Sequence, residues 1–207
     1  MKNLIEYIKE GLKITSKTKV NDKIKIKNIL QLKKEISNKL KESKNILDLT
    51  DLDISDLDDL SHAFYAILNI TKVDVTGWNT SNVKSFNSMF YGCTYLEEVI
   101  GLDTWDVSNV EDMSYMFCNC PFDGNLSKWD VSNVKNMECM FSGSGFTGTN
   151  GDLSNWDVSN VENMHEMFYG SKFKGNIDNW KMPNVKDTHN MFMASPLFRK
   201  KPKWYKK

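Results

Sequence analysis

Long hydrophobic runs are missing from this sequence. No segment approaches the roughly 18 consecutive apolar residues that a membrane-spanning helix needs. The first ten residues, Met-Lys-Asn-Leu-Ile-Glu-Tyr-Ile-Lys-Glu, contain neither the apolar centre of a signal peptide nor a lipobox cysteine. The sequence therefore predicts no membrane span and a cytoplasmic or virion-associated protein, which reaches a cell surface only if a non-standard route exports it.

Catalytic and metal-binding motifs are also missing. The sequence has no phosphate-binding glycine loop, no Cys-x-x-Cys pair and no nucleophile elbow. His165 and His189 occupy equivalent positions, but no third ligand accompanies them. The acidic run between residues 48 and 59 begins like a calcium loop, yet Asp56 replaces the turn glycine and His62 the closing glutamate. We expect no enzyme, no cofactor and no metal site.

What the sequence does contain is a repeated block, Trp-Asp-Val-Ser-Asn-Val, followed by a Met-Phe pair at a fixed offset. We number the repeats 1 to 6 by their first residues, which are Leu52, Trp78, Trp105, Trp129, Trp156 and Trp180. Repeat 1 is degenerate and carries aliphatic residues in place of Trp and Met. Trp204 follows repeat 6 at the same spacing. One repeat cannot bury its own apolar face, so stacking of successive repeats is expected.

The spacing of the tryptophans predicts the architecture. Successive Trp residues are 27, 24, 27, 24 and 24 residues apart, which indicates a 51-residue double repeat. These periods are typical of leucine-rich repeats, in which each repeat forms one superhelical coil. The predicted fold class is α/β, a leucine-rich-repeat-like solenoid of about six coils with a small α-rich N-terminal cap. Val110, Met113 and the Met116-Phe117 pair, at i, i+3, i+6 and i+7, predict an extended entry into a short helical turn.

Several columns of equivalent residues support stacking. The residue after the repeat Val alternates in sign along the chain, as Asp58, Lys84, Glu111, Lys135, Glu162 and Lys186. A small-residue column contains Cys93 and Cys120, which we interpret as interior spacers. An Asn column, which includes Asn109, is expected to bond backbone groups at a bend. The predicted structural ladder consists of Trp78, Trp105, Trp129, Trp156, Trp180, Met116, Met140, Met167, Phe117, Phe141 and Phe168.

Charge divides the chain into segments of different sign. Residues 1–46 hold 13 lysines against 5 acidic residues, a net charge of +8. Residues 47–192 hold 8 lysines against 22 acidic residues, a net charge of −14, and the remainder holds 6 basic residues. We predict a basic N-terminal cap or leader region (1–46), a repeat solenoid (47–204) and a basic tail end (205–207). Leu4, Ile5, Ile8 and Leu12 predict one amphipathic helix in the cap, and Ile29, Leu32, Ile36 and Leu40 a second.

The repeat block resembles that of the BspA-type leucine-rich-repeat surface proteins of bacteria and of mycoplasmal lipoproteins, over residues 47–204. That resemblance implies a non-catalytic protein-interaction module, since such proteins are mostly adhesins or surface antigens. The expected partner is a protein, such as a host surface component. We expect partner contacts on an exposed strip of variable positions, which are Ser88, Tyr115, Glu138, Cys139, Glu166 and Asn190.

The ends of the chain suggest an alternative. The first twelve residues are similar to short amphipathic leaders on internal virion proteins of tailed bacteriophages. This similarity implies a virion-associated structural or cargo protein with a phage capsid partner. The segment from Arg199 to Lys207 resembles a nucleic-acid-binding patch with interleaved aromatics. Because Trp204 keeps the repeat spacing, we interpret this segment as the charged end of the last coil, and nucleic acid is not the expected partner.

Overall fold

The computed structural model describes residues 23–205. The predicted helix marked by Leu4, Ile5, Ile8 and Leu12, and with it the phage-like leader, lies outside the described residues. The regular elements are strands β1 (Ile24–Lys25), β2 (Ile46–Asp48), β3 (Leu52–Asp53), β4 (Lys72–Asp74) and β5 (Glu98–Ile100), helix α1 (Ile29–Leu40), and 3-10 turns at Leu102–Thr104 and Pro196–Phe198. In this part of the chain no helix has the length and apolar character needed to cross a bilayer.

Every strand pair within residues 23–205 is parallel, and two separate sheets form, one from β1 and β3 and the other from β2, β4 and β5. Strand β1 pairs with β3. Strands β2, β4 and β5 form a three-stranded sheet whose register aligns Leu47, Val73 and Val99, all buried. Successive repeats are joined by single parallel bridges at Asp59–Ser85, Ser85–Asp112, Asp112–Asn136, Asn136–Asn163 and Asn163–Asp187. Each repeat therefore lies against its neighbours in sequence.

The turn around each Met-Phe pair is not the helical turn that the spacing predicts. In repeat 2 the N–H groups of Ser88 and Phe90 donate to carbonyls of repeat 3 at 2.9 Å, while that of Met89 donates three residues back at 3.1 Å. An α-helix would use these N–H groups within its own segment. Here every second N–H group of the turn donates to the next repeat instead. This happens because two residues of each turn, such as Ser88 and Gly92, have left-handed φ angles. The helical expectation was therefore wrong for these turns.

The interior is a continuous aromatic and apolar core. The ladder residues of the Trp, Met and Phe columns lie between 0% and 5% exposed. The phenylalanine rings of repeats 2 to 6 stack 5.5–6.0 Å apart and within 7° of parallel. Trp204 stacks on Trp180 at 6.4 Å, which places Trp204 in the same column as the repeat tryptophans. The chain is thus a repeat protein with little regular secondary structure, parallel strands and a large buried aromatic core.

Polar groups along the columns bond to the preceding repeat. The amide of Asn160 donates to the Ser132 carbonyl of repeat 4 at 2.7 Å, and the indole N–H of Trp156 donates at 3.0 Å to the carbonyl of Leu126, three residues before repeat 4 begins. The amides of Asn82, Asn109, Asn133 and Asn184 make the equivalent bond. The expectation for the Asn column is confirmed, because each amide satisfies a backbone carbonyl that the bend leaves free.

The N-terminal segment packs on the first repeat. Helix α1 begins after Asn28, whose side chain accepts a hydrogen bond from the Gln31 N–H at 2.9 Å. Leu32 and Ile36 on its inner face belong to the core. Lys25 pairs with Asp53 at 3.2 Å and with Asp56 at 2.9 Å, and Lys39 pairs with Asp51 at 2.8 Å. Lysines of this segment therefore neutralise part of the acidic run that resembles a calcium loop.

The alternating charge column forms fewer ion pairs than its sequence pattern suggests. Lys135 contacts Glu111 at 2.6 Å, and Lys186 pairs with Glu162. Within residues 23–205, Lys84 makes no ion pair with either of its neighbours in the column. These side chains are exposed, so solvent screens each pair and its contribution to stability is small.

Candidate partner-binding site

One position in each repeat has an unusual backbone. The fifth residue after the repeat Val, or after Leu57 in repeat 1, has a φ angle between 51° and 58° in all six repeats. We call this set the strip column, and it consists of His62, Ser88, Tyr115, Cys139, Glu166 and Asn190. Its N–H donates to a carbonyl of the next repeat from repeat 1 through repeat 5. The left-handed geometry at this position thus belongs to the bonding between repeats.

The structure corrects the expected exposure of this surface. Ser88 and Cys139 are buried, at 6% exposure each, and Tyr115, Glu166 and Asn190 are half-buried, as is Glu138 one position earlier in its repeat. A left-handed residue whose N–H joins the next repeat lies close to that repeat, so its side chain is partly covered. The strip column is a partly covered surface, and the prediction of an exposed strip was wrong for these residues.

Side chains of the strip column are held by hydrogen bonds between repeats. The Tyr115 hydroxyl donates to Glu138 in repeat 4, and Asn163 in repeat 5 donates to the other oxygen of Glu138 at 3.0 Å. The bond to Glu138, with burial, raises the pKa of Tyr115 above its usual value. Asn190 donates to Glu166 at 3.3 Å. The two carboxylates therefore order the polar part of the surface across repeats 3 to 6.

An aromatic group lies at the other end of this surface. The rings of Tyr65 and Tyr91, three residues after the strip column, stack at 5.0 Å and 6°. Tyr91 also contacts Tyr115 at 6.3 Å, and His62 meets Tyr65 edge-on at 5.4 Å. Tyr65 is 50% exposed. Sequence reasoning missed Tyr65 and Tyr91, although each directly follows the repeat Phe and could have been found from that position.

The histidines at equivalent positions are neighbours, as the repeat spacing predicts. The rings of His165 and His189 stack at 5.8 Å. His165 lies 3.7 Å from Glu166 and 3.5 Å from Asp187. Within residues 23–205, no group of three or more His, Cys, Asp or Glu side chains is arranged to hold a metal ion. Because His165 lies beside Glu166, the pair extends the polar part of the strip surface.

The four cysteines are buried and carry free thiols. Burial raises the pKa of Cys93 and Cys118 to about 11, and that of Cys120 and Cys139 to about 12. A thiolate is the reactive form, so these environments suppress nucleophilic chemistry. Cys93 and Cys120, at 0% and 1% exposure, fill the small-residue column as interior spacers, which confirms that interpretation.

Comparison with known proteins places the chain in a family. A family described as "Mycoplasma protein of unknown function, DUF285" matches residues 13–101, 31–121 and 96–205. No curated protein and no solved structure matches the chain significantly. The three matches overlap and together extend over nearly the whole sequence, as a repeated unit would. The chain therefore belongs to the DUF285 family and is a repeat protein of that family.

Proposed function

We propose that this protein is a non-catalytic protein-interaction module that presents the strip column and its neighbours to a protein partner. Its architecture is then a leucine-rich-repeat-like solenoid of about six coils, capped by α1, of the BspA type. The single parallel bridges between repeats and the stacked Trp and Phe columns support this assignment. The one α-helix of the described residues lies in the cap, whereas strands β3, β4 and β5 lie in the repeat region, so the α part of the α/β class refers to the cap alone.

The amino-acid choice at left-handed positions carries the proposal. Each repeat has a second left-handed residue four positions after the strip column, and glycine fills it in repeats 2, 4 and 5. The strip column contains no glycine, and its six residues are all different. A side chain at such a φ angle costs about 1–2 kcal/mol. Six distinct side chains at a position where a side chain is costly favour a role for these side chains in contacts that glycine could not make.

The form of the surface supports a binding role. Tyrosines and the Tyr115–Glu138 pair offer aromatic and hydrogen-bonding groups that the repeat framework already orders. Ordered groups lose little conformational entropy when a partner binds, so they favour affinity. Tyrosine is also enriched in protein interfaces. The buried thiols, with their raised pKa values, support a non-catalytic role. The virion-cargo alternative rests on residues 1–12, which the structure does not describe.

The test removes the side chains of the strip without removing its backbone geometry. A variant with glycine at Ser88, Tyr115, Glu166 and Asn190 is expected to keep the wild-type circular dichroism spectrum, because glycine adopts left-handed φ freely. Wild type, this variant and a control are immobilised and exposed separately to envelope, soluble and virion fractions of the native source. The control carries alanine at four exposed charge-column residues, which are Lys84, Glu111, Lys135 and Lys186.

The outcome is read by quantitative mass spectrometry of the retained proteins. We expect at least one protein to be retained by wild type and by the charge-column control but at least tenfold less by the glycine variant. The fraction that supplies it identifies the location of the partner. If every retained protein binds the glycine variant as well as the wild type, the strip is not the binding surface.

A further inference from the structure

In the part of the chain that the structure describes, the three-stranded sheet ends at β5. Strand β5 pairs with β4 on one side, with Val99 opposite Val73. On its other side comes the segment 121–126 of repeat 3, which is not a strand. Among the described residues, no backbone hydrogen bond joins β5 to that segment. The outer edge of the three-stranded sheet is therefore open in the middle of the stack.

The interruption has a local cause in repeat 3. The ring of Phe122 stacks on Phe117 at 4.5 Å in the core. It also lies so close to Gly124 that a Cβ atom there would be 2.3 Å from the ring. The chain bends towards the core to bury Phe122, so it does not follow the path that a fourth strand would take beside β5. Phe146 and Phe173 repeat this arrangement in repeats 4 and 5, so the sheet does not resume.

The interruption opens a groove of about 480 Å³. Strand β5 forms one wall, and residues 122–125 form the other. The Ile100 carbonyl accepts from the Val75 N–H at 3.0 Å, so it faces β4. Because backbone groups point alternately to the two sides of a strand, the N–H and carbonyl of Val99 point towards the groove. One wall of the groove is thus a strand edge, on which the backbone N–H and carbonyl of Val99 can pair with a ligand.

The charge of the groove is negative. Four carboxylates line it, those of Glu97, Glu98, Asp103 and Asp123, against the single cation of Lys128. Lys72 neutralises Glu98 at 2.6 Å, and Asp123 accepts hydrogen bonds from Thr147. Glu97 and Asp103 remain exposed at the rim. A ligand strand with cationic side chains complements this rim, whereas an acidic one is repelled.

We propose that an extended, lysine- or arginine-rich segment of a partner protein binds in this groove as an added strand on the outer edge of β5. Its backbone pairs with Val99, and its cationic side chains lie near Glu97 and Asp103. Strand addition to an exposed sheet edge is a common mode of peptide recognition, in which backbone bonds supply affinity and side chains supply selectivity. This inference rests on the proposed function, and it adds a second docking surface with a defined ligand chemistry.

The test uses the full chain and a fluorescein-labelled decapeptide of alternating Lys and Val. Two probes are matched to it, the same peptide with N-methyl groups on alternate backbone nitrogens and a Glu-Val peptide of the same length. Binding is measured by fluorescence anisotropy at about 50 and 300 mM NaCl, between which exposed charge interactions weaken. We expect saturable binding of the Lys-Val peptide, at least tenfold weaker binding of the N-methylated one and none of the Glu-Val peptide.

Two double variants locate the site. Glu97→Lys with Asp103→Lys reverses the rim charge of the groove and is expected to weaken Lys-Val binding at least tenfold. Glu42→Lys with Asp58→Lys makes the same change of net charge at exposed positions elsewhere and is expected to change binding less than threefold. Equal effects of the two pairs, or equal binding of the N-methylated peptide, would overturn strand addition in the groove.

The strip-column glycine variant separates this inference from the proposed function. It is expected to bind the Lys-Val peptide as the wild type does, because its changes leave β5 and the groove intact. If no Lys-Val binding is found while a partner still depends on the strip, the groove inference fails and the proposed function stands. If peptide binding persists while no partner depends on the strip, the strip proposal fails alone.

Discussion

Replacement of Gly170 by alanine tests the left-handed turns in isolation. Gly170 has a φ of 60°, and a Cβ atom built there would meet only Gly143, at 3.9 Å, an ordinary contact. The change therefore introduces conformational strain without a collision. That strain costs about 1–2 kcal/mol, and the reduced freedom of the unfolded chain returns about 0.4–1 kcal/mol. We expect Gly170→Ala to lower the free energy of unfolding by about 1 kcal/mol.

The assay is equilibrium urea unfolding followed by tryptophan fluorescence. The slope of the unfolding free energy against urea concentration must be the same in variant and wild type, so that a change of midpoint reports a change of stability. Gly170→Asn is the matched control, because asparagine adopts left-handed φ more readily than alanine. It should be more stable than Gly170→Ala, and Asn119 occupies the equivalent position in repeat 3 with a φ of 53°. If Gly170→Ala equals or exceeds the wild type in stability, or if the two variants are equal, the strain argument behind the proposed function is refuted.

Two further predictions concern the core and the thiols. Met140→Asp should lower the free energy of unfolding by more than about 4 kcal/mol in a thermal melt, because a fully buried side chain would carry an unpaired charge. The exposed Met193→Asp should change it by less than about 1 kcal/mol, and equal shifts would contradict the core assignment. With pKa values raised to about 11 or 12, the four thiols should react with Ellman's reagent at pH 8 at least tenfold more slowly in the folded protein than in urea. Rapid reaction of the folded chain would show that they are accessible.

The stacked core could be predicted from the sequence alone. Trp105, Met116 and Phe117 recur at fixed offsets, and apolar residues that recur in this way must cover one another when repeats stack. The amide of Asn109 and the small side chain of Cys120 could be assigned by the same logic. The turn geometry could not, because the i, i+3, i+6, i+7 spacing is shared by a helix and by a series of tight turns.

The candidate site was only partly visible in the sequence. Variation at Tyr115, Glu166 and Asn190 indicated a surface that differs from repeat to repeat. Their burial depended on the left-handed backbone, which non-glycine residues adopt too seldom for the sequence to indicate it. The pairing of Tyr115 with Glu138 joins residues 23 positions apart, so only the stacking of repeats 3 and 4 brings them together.

The sequence by itself determined which apolar residues of the repeats form the core and that successive repeats stack in order, since a recurring apolar residue can be covered only by its equivalent in the next repeat. The tertiary structure decided the handedness of the turns, the partial burial of the strip column and the open edge of β5. These features depend on backbone torsions and on contacts between distant segments. The packing of Phe122 against Phe117 is one such contact. It ends the sheet after β5, although further repeats follow.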